Sequence, residues 1–246
     1  MIFFCFSSQD RQPVVESILF HITNFGLPVW YDRHRMLLGD ARNFENFDMG
    51  IEKSSYAIVI MSRNTLNSTC ACEEIEIIKQ RHNSNKLQVF PIFYNMKAAE
   101  LPEDFLWMNK LVYKELDTTT DSRSTCNHIV CRFLLDRLAN CKIQSLEEFH
   151  EFCRNQPAYS YLKVLIESYK AINDTNHNAK ISILYAGCQF LYNYYRTDLN
   201  PIYLRQGVEK LFDETKLHLP IDLREGLIFE RLFLLSFNTI IFGDII

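Results

Sequence analysis

Residues 68–78, STCACEEIEII, bring two thiols and two adjacent carboxylates into one short run: Cys70, Cys72, Glu73 and Glu74. Paired carboxylates can serve as nucleophile and acid of a glycosidase, and thiols with a histidine can hold zinc. Neither pattern is complete here. Ser68 or Thr69 is placed to cap a helix beginning at this point. Adjacent helical residues point about 100° apart, so Glu73 and Glu74 do not share a site. A metal would need two further ligands, and His82 is the only histidine close in sequence. Cys70 and Cys72 read instead as small buried residues. Glu73 is expected to be solvated. Glu74 is open to two readings, a helix-start carboxylate kept ionised by the dipole and free N–H groups or a working one.

A second cluster lies in DRHRMLLGD (32–40), where Asp32, Arg33, His34 and Arg35 precede Met36, Leu37, Leu38 and a turn at Gly39. It is either a solvated loop or a contact surface, since consecutive large apolar side chains in a loop are unfavourable in water. Ser7, Ser8 and Asp10 stand ahead of Pro13, either as helix caps or as ligand contacts. No GxGxxG or P-loop supports a dehydrogenase or NTPase. No GxSxG or Cys–His arrangement supports acyl transfer.

The elements that must position these residues alternate in type. IFFCF (2–6) and AIVIMS (57–62) are unbroken apolar runs, as expected of strands buried on both faces. LPVWYD (27–32) and LQVFPIFYN (87–95) are further strands, and LVYKEL (111–116) is an edge strand with Lys114 and Glu115 outward. PVVESILFHITNFG (13–26) reads as a helix stopping at Gly26. Strands separated by helix-length segments imply a parallel sheet with helices on both faces, and function gathers at the carboxyl ends of such strands. SSQD (7–10), residues 32–40, 62–69 and 94–104 therefore share one rim. After the polar patch DTTTDSRST (117–125) only helices are predicted. They cover 126–141, then 145–155 with a Ser145–Glu148 capping box, 158–172, 178–197, 201–217, and a last one beyond Pro220. The expected division is an α/β domain over 1–142 and a small all-α extension over 143–246.

Bulk properties exclude several classes. The 246 residues carry a formal net charge of −4, so no basic field argues for nucleic acid. Cysteines at 5, 70, 72, 126, 131, 141, 153 and 188 form no CxxC pair. The start, MIFFCFSSQD, lacks the basic region of a signal peptide, and no apolar stretch is long enough for a membrane span. Free thiols in a reducing cytoplasm are expected.

The blocks IFFCFSSQD, GLPVWYDRHRMLLGD, GIEKSSYAIVIMSRNTLNSTCACEEI and VFPIFYNMKAAELPE, in this order, resemble the TIR domain family over about residues 1–140. The resemblance implies a flavodoxin-like five-stranded parallel sheet. It also implies that residues 33–44 form the family's BB loop, through which protomers assemble. Some TIR domains cleave NAD+ at the nicotinamide–ribose bond, while others only scaffold signalling complexes. Aligning Ser68 with the family's S-x-W-C-x-x-E block puts Glu74 at the essential glutamate and Cys70 at the tryptophan that packs on nicotinamide. Cys5 replaces the usual strand serine.

The resemblance makes NAD+ a substrate, with no separate cofactor and no metal. Substrate contacts are then expected from Phe4, Phe6, Ser7, Asp10, Tyr31, Asp32, Arg33, Arg35 and Cys70. Phe4, Phe6, Trp30 or Tyr31 would supply the stacking area that Cys70 lacks, and the loop cations would approach the pyrophosphate. Within the family the chain resembles bacterial immune members of Thoeris type, which answer a phage trigger by making a cyclic ADP-ribose-like messenger for a separate effector. The alternatives are a non-catalytic adaptor acting by self-assembly and a nucleoside-processing enzyme sharing only the fold.

Overall fold

A computed structural model describes residues 1–32, 36–41, 44–120, 122–139, 144–194, 209, 212, 223–238 and 241. The chain divides into two compact units, Met1–Cys126 and Asn127–Ile246.

In the first unit the apolar runs form a parallel sheet of five strands: β1 (Ile2–Cys5), β2 (Val29–Trp30), β3 (Tyr56–Met61), β4 (Gln88–Tyr94) and β5 (Lys114–Leu116). Their order, β2-β1-β3-β4-β5, is that of flavodoxin-like folds. β1 is buried throughout and β3 from Ala57 onward, because helices cover both faces of the sheet. The register pairs Phe3 with Ala57 and Cys5 with Val59. It carries Phe3, Cys5, Ala57, Val59 and Met61 to one face, where Ala71, Ile75 and Ile78 complete a core that also holds Trp30. Phe4, between Phe3 and Cys5, points to the other face.

Helix α1 (Glu16–Asn24) follows a wide turn, Arg11–Val15. The predicted helix over 13–26 starts late because Pro13 lies inside that turn and has no N–H to give. The chain leaves α1 through Gly26, as expected. β2 and β5 are shorter than the predicted 27–32 and 111–116; each is an edge strand with a single neighbour. Beyond β3 come a short helix α2 (Arg63–Leu66) and α3 (Thr69–Asn83). A π-type segment, Phe44–Ile51, leads into β3. It lies so close to the sheet that a Cβ on Gly50 would stand 2.8 Å from the Phe3 ring and 3.1 Å from Trp30.

After β5 the described elements are all helical: α4 (Arg123–Ala139), α5 (Leu146–Arg154), α6 (Ser160–Ala171), α7 (His177–Tyr194) and α8 (Leu223–Phe237). The Ser145–Glu148 capping box forms, with Ser145 N donating to Glu148 Oε2 at 2.6 Å and Glu148 N to Ser145 Oγ at 3.3 Å. Phe149, Leu162, Ile166, Ile181, Leu191, Phe229 and Phe233 are buried in the second unit. The predicted helix over 201–217 lies outside the described residues except at Glu209 and Phe212.

Candidate active site

α3 is started by Ser68, whose Oγ accepts from Ala71 N at 3.3 Å. Its apolar side, Ala71, Ile75 and Ile78, rests on the sheet. Glu74 falls on that buried side, 5% exposed, while Glu73 faces solvent. The two carboxylates diverge as the helical repeat requires. Glu74 sits in the second turn, whereas the influence of a helix start is confined to the first. Its surroundings are set by neighbours, not by the helix end.

Those neighbours come from three elements. Asn46, on the π-type segment, donates its Nδ2 to Glu74 Oε1 at 2.6 Å. Cys70, one turn back on α3, directs its Sγ at the same oxygen from 3.5 Å. Cys5, at the end of β1, donates its Sγ to Ala71 O at 3.6 Å. Burial first, and then the nearby Glu74 carboxylate, raise the Cys5 thiol well above its ordinary value. It is therefore an inert neutral thiol. Asn46 is buried, and its Oδ1 has no hydrogen-bond partner among the described residues. Residue types gave no sign of Asn46; the only available signal was its place, a polar residue in FENFDMG, four residues before the glycine that lets the segment approach the sheet.

The other expected contacts collect elsewhere. At the ends of β1 and β2, Arg11 donates Nη1 to Asp32 Oδ1 at 2.8 Å and Nη2 to Asp32 Oδ2 at 2.6 Å. Nη1 also reaches Tyr31 Oη at 2.8 Å. The guanidinium lies 5.0 Å from the Phe6 ring centre and 5.3 Å from that of Tyr31, and the two rings stack at 5.9 Å. The bond to Asp32 first, and that to Tyr31 after the opposing cost of burial, hold Arg11 more firmly protonated than usual. Arg11 was not foreseen, and it already occupies Asp32 and Tyr31.

Asp10 is likewise committed. Its Oδ2 accepts from Ser62 Oγ at 2.5 Å and Thr65 Oγ1 at 3.3 Å, and its Oδ1 from Asn64 Nδ2 at 2.7 Å. The loop after β1 is thereby tied to the loop after β3. Ser7 caps the short turn Ser8–Asp10, accepting from Gln9 N at 3.4 Å. Phe4 is a core residue, 2% exposed, on the sheet face opposite Cys5 and Glu74. The structure thus sets Phe4 on the other face of the sheet from Glu74, and gives Ser7 and Asp10 capping and tying bonds.

In the loop after β2, Arg33, His34 and Arg35 lie outside the described residues. Met36 packs against the core. Leu37 and Leu38 stand 79% and 108% exposed at a turn. Gly39 has φ +102°, and Asp40 Oδ2 accepts from Leu37 N at 2.6 Å. A cavity of about 170 Å³ opens at the ends of β4 and β5, lined by Asn95, Lys97, Glu100, Glu115 and Asp117 among others. Lys97 is paired with Glu115 at 2.8 Å, and none of the expected site residues lines it. No described helix is long and apolar enough to cross a membrane.

Comparison with known proteins agrees with this architecture. The family model described as "TIR domain" matches residues 2–129. The NAD(+) hydrolase TcpC of Escherichia coli O6:H1 is 30% identical over 101 residues, which is 40% of this chain and 32% of that protein. The NAD(+) hydrolase TcpA of a Theionarchaea archaeon is 26% identical over 102 residues, 41% of this chain and 30% of that one. The 2′ cyclic ADP-D-ribose synthase BtTIR of Bacteroides thetaiotaomicron is 24% identical over 99 residues, 40% of this chain and 34% of that one. The chain thus spans about a third of the length of these relatives. With a parallel sheet in the order β2-β1-β3-β4-β5 and a family match over more than half its length, the chain belongs to the TIR domain family.

Proposed function

We propose that the TIR unit cleaves the bond between nicotinamide and ribose in NAD+, with Glu74 as the catalytic carboxylate. The observation that carries this reading is the burial of Glu74 on the sheet side of α3 with an amide donor and a thiol on one oxygen. The names of the relatives as NAD(+) hydrolases and 2′ cyclic ADP-D-ribose synthases support it.

The chemistry needs little more. When the C1′–N bond breaks, its electron pair goes to the cationic ring nitrogen, so nicotinamide departs neutral and requires no general acid. The ribose is left as an oxocarbenium ion. A fixed carboxylate beside it stabilises the positive charge and can hold ribose hydroxyls. Water then captures the cation and gives ADP-ribose and a proton. Capture by a hydroxyl of the same molecule gives a cyclic product instead.

The wider reading is a bacterial anti-phage TIR protein of Thoeris type, working in the cytoplasm. Its cyclic ADP-ribose-type product would act on a separate effector. Self-assembly through residues 33–44 is part of the proposal, and the exposed Leu37 and Leu38 favour it. The helical extension over 143–246 would carry assembly or trigger sensing.

One observation favours the adaptor reading. Cys70 stands where the resemblance places an aromatic platform, and its sulfur is directed at Glu74. The test is nicotinamide release from NAD+ by concentrated wild-type protein and by Glu74→Gln, with mass analysis of the product. Release that survives the substitution overturns the site, and no release by the wild type favours the adaptor.

A further inference from the structure

We infer that Asn46 is a ligand-contacting residue of the Glu74 site, its Oδ1 accepting a hydrogen bond from a hydroxyl of the ribose that loses nicotinamide. The inference rests on the reading of Glu74 as the carboxylate facing that ribose.

Three observations carry it. The Asn46 side chain, 6% exposed, has only one productive orientation. With Nδ2 donating to Glu74 Oε1 at 2.6 Å the contact is attractive, whereas the flipped amide would set a carbonyl oxygen against a carboxylate oxygen. Oδ1 is therefore fixed as the group left over. It is screened from water and lacks a donor among the described residues. A buried acceptor without a donor costs about 1–3 kcal/mol, and few such atoms persist without a reason.

The third observation is the backbone that holds it. Asn46 belongs to a π-type segment pressed against Phe3 and Trp30 through Gly50, and such windings are frequent at functional sites. Oδ1 hangs from the same carbon as the nitrogen that bonds Glu74. An acceptor beside a carboxylate matches vicinal hydroxyls, each of which brings a proton to donate. The ring nitrogen of NAD+ at the breaking bond brings none. The carboxamide of nicotinamide is the other donor on that side of the molecule, and it can be tested separately.

The experiment measures kcat/KM for nicotinamide release by wild type and Asn46→Ala. Substrates are NAD+ and analogues lacking the 2′- or the 3′-hydroxyl of the nicotinamide ribose. Asn46→Ala should lower kcat/KM on NAD+ by about 10- to 100-fold. It should also discriminate against one of the two deoxy analogues about tenfold less than the wild type does, because the partner of the missing hydroxyl is already gone. Equal discrimination by both proteins overturns the inference, as does wild-type kcat/KM in the variant. Coupling of Asn46 to the carboxamide, seen with an analogue carrying a carboxylate there, overturns the ribose assignment.

Should Asn46→Ala prove unfolded by circular dichroism, Asn46→Leu keeps the volume, removes both polar atoms and decides the same comparison. If the wild type releases no nicotinamide at all, the reading of NAD+ cleavage falls and the inference with it. Wild-type release without coupling removes the inference alone.

Discussion

Two polar clusters occupy the carboxyl end of this sheet, and they differ in how completely they are satisfied. Around Arg11, each oxygen of Asp32 accepts from the guanidinium, the Tyr31 hydroxyl accepts as well, and two rings flank the cation. Around Glu74, one oxygen takes both Asn46 and Cys70, and Asn46 keeps a buried acceptor with no donor among the described residues. The first cluster holds the ends of β1 and β2 together at the rim. The second keeps unused hydrogen-bonding capacity out of water. Most buried polar groups that serve only the fold are paired, and unspent capacity is what a ligand site needs.

The comparison breaks most readily at Glu74. Glu74→Gln keeps the shape and an acceptor for Asn46 but removes the charge, so nicotinamide release should fall by about 10³-fold with the urea midpoint unchanged. The reverse pattern is expected at Arg11. Arg11→Leu leaves Asp32 without its guanidinium at a site where the two side chains are 13% and 32% exposed. Discounted for that exposure, the loss in stability should be about 2–3 kcal/mol. Release per folded molecule should change by less than about threefold, since Arg11 bonds Asp32 and Tyr31 whereas Asn46 bonds Glu74. A large loss of release in Arg11→Leu would show that the first cluster also serves the ligand.

A smaller effect is expected at Asp10, which ties the loops after β1 and β3 through Ser62, Asn64 and Thr65. Asp10→Ala should cost about 1–2 kcal/mol in urea unfolding, the low end for lost partners. Thr65 Oγ1 also reaches Ile60 O at 2.8 Å, and part-buried Asn64 can turn to water. No loss of stability would move Asp10 from the fold to the ligand side of the comparison.

The strands and the divergence of Glu73 from Glu74 were legible because both follow from periodicity alone. The place of Phe4 follows from the same kind of periodicity. Type suggests an aromatic platform, but the two-residue repeat of β1 puts Phe4 opposite Cys5, in the core. Arg11 and Asn46 were not legible. Each acquires its role from a partner far away in the chain, Asp32 for one and Glu74 for the other, and no local spacing records that. Asp10 and Asp32 were recognised as special rim residues, yet residue type cannot distinguish a carboxylate waiting for a ligand from one already held.

Cys5 supplies the finest test, since it lies in the open cluster but adds only to stability. Burial, with the Glu74 carboxylate beside it, raises its thiol well above the ordinary value of 9.0. In the unfolded chain the same thiol ionises near that ordinary value. Below it both states keep the proton and the contribution is complete. As pH rises past it the unfolded chain binds fewer protons than the folded one, so stability falls, by up to about 1.4 kcal/mol per pH unit for one group. Cys188 in the second unit, pushed up to about 12 by burial, adds a decline of the same sign. Urea midpoints taken between pH 8 and 10.5 should therefore decrease for the wild type and decrease less steeply for Cys5→Ala. Parallel slopes would mean that the thiol beside Glu74 ionises in the folded protein, and a second anion would then share the pocket proposed for a ribosyl cation.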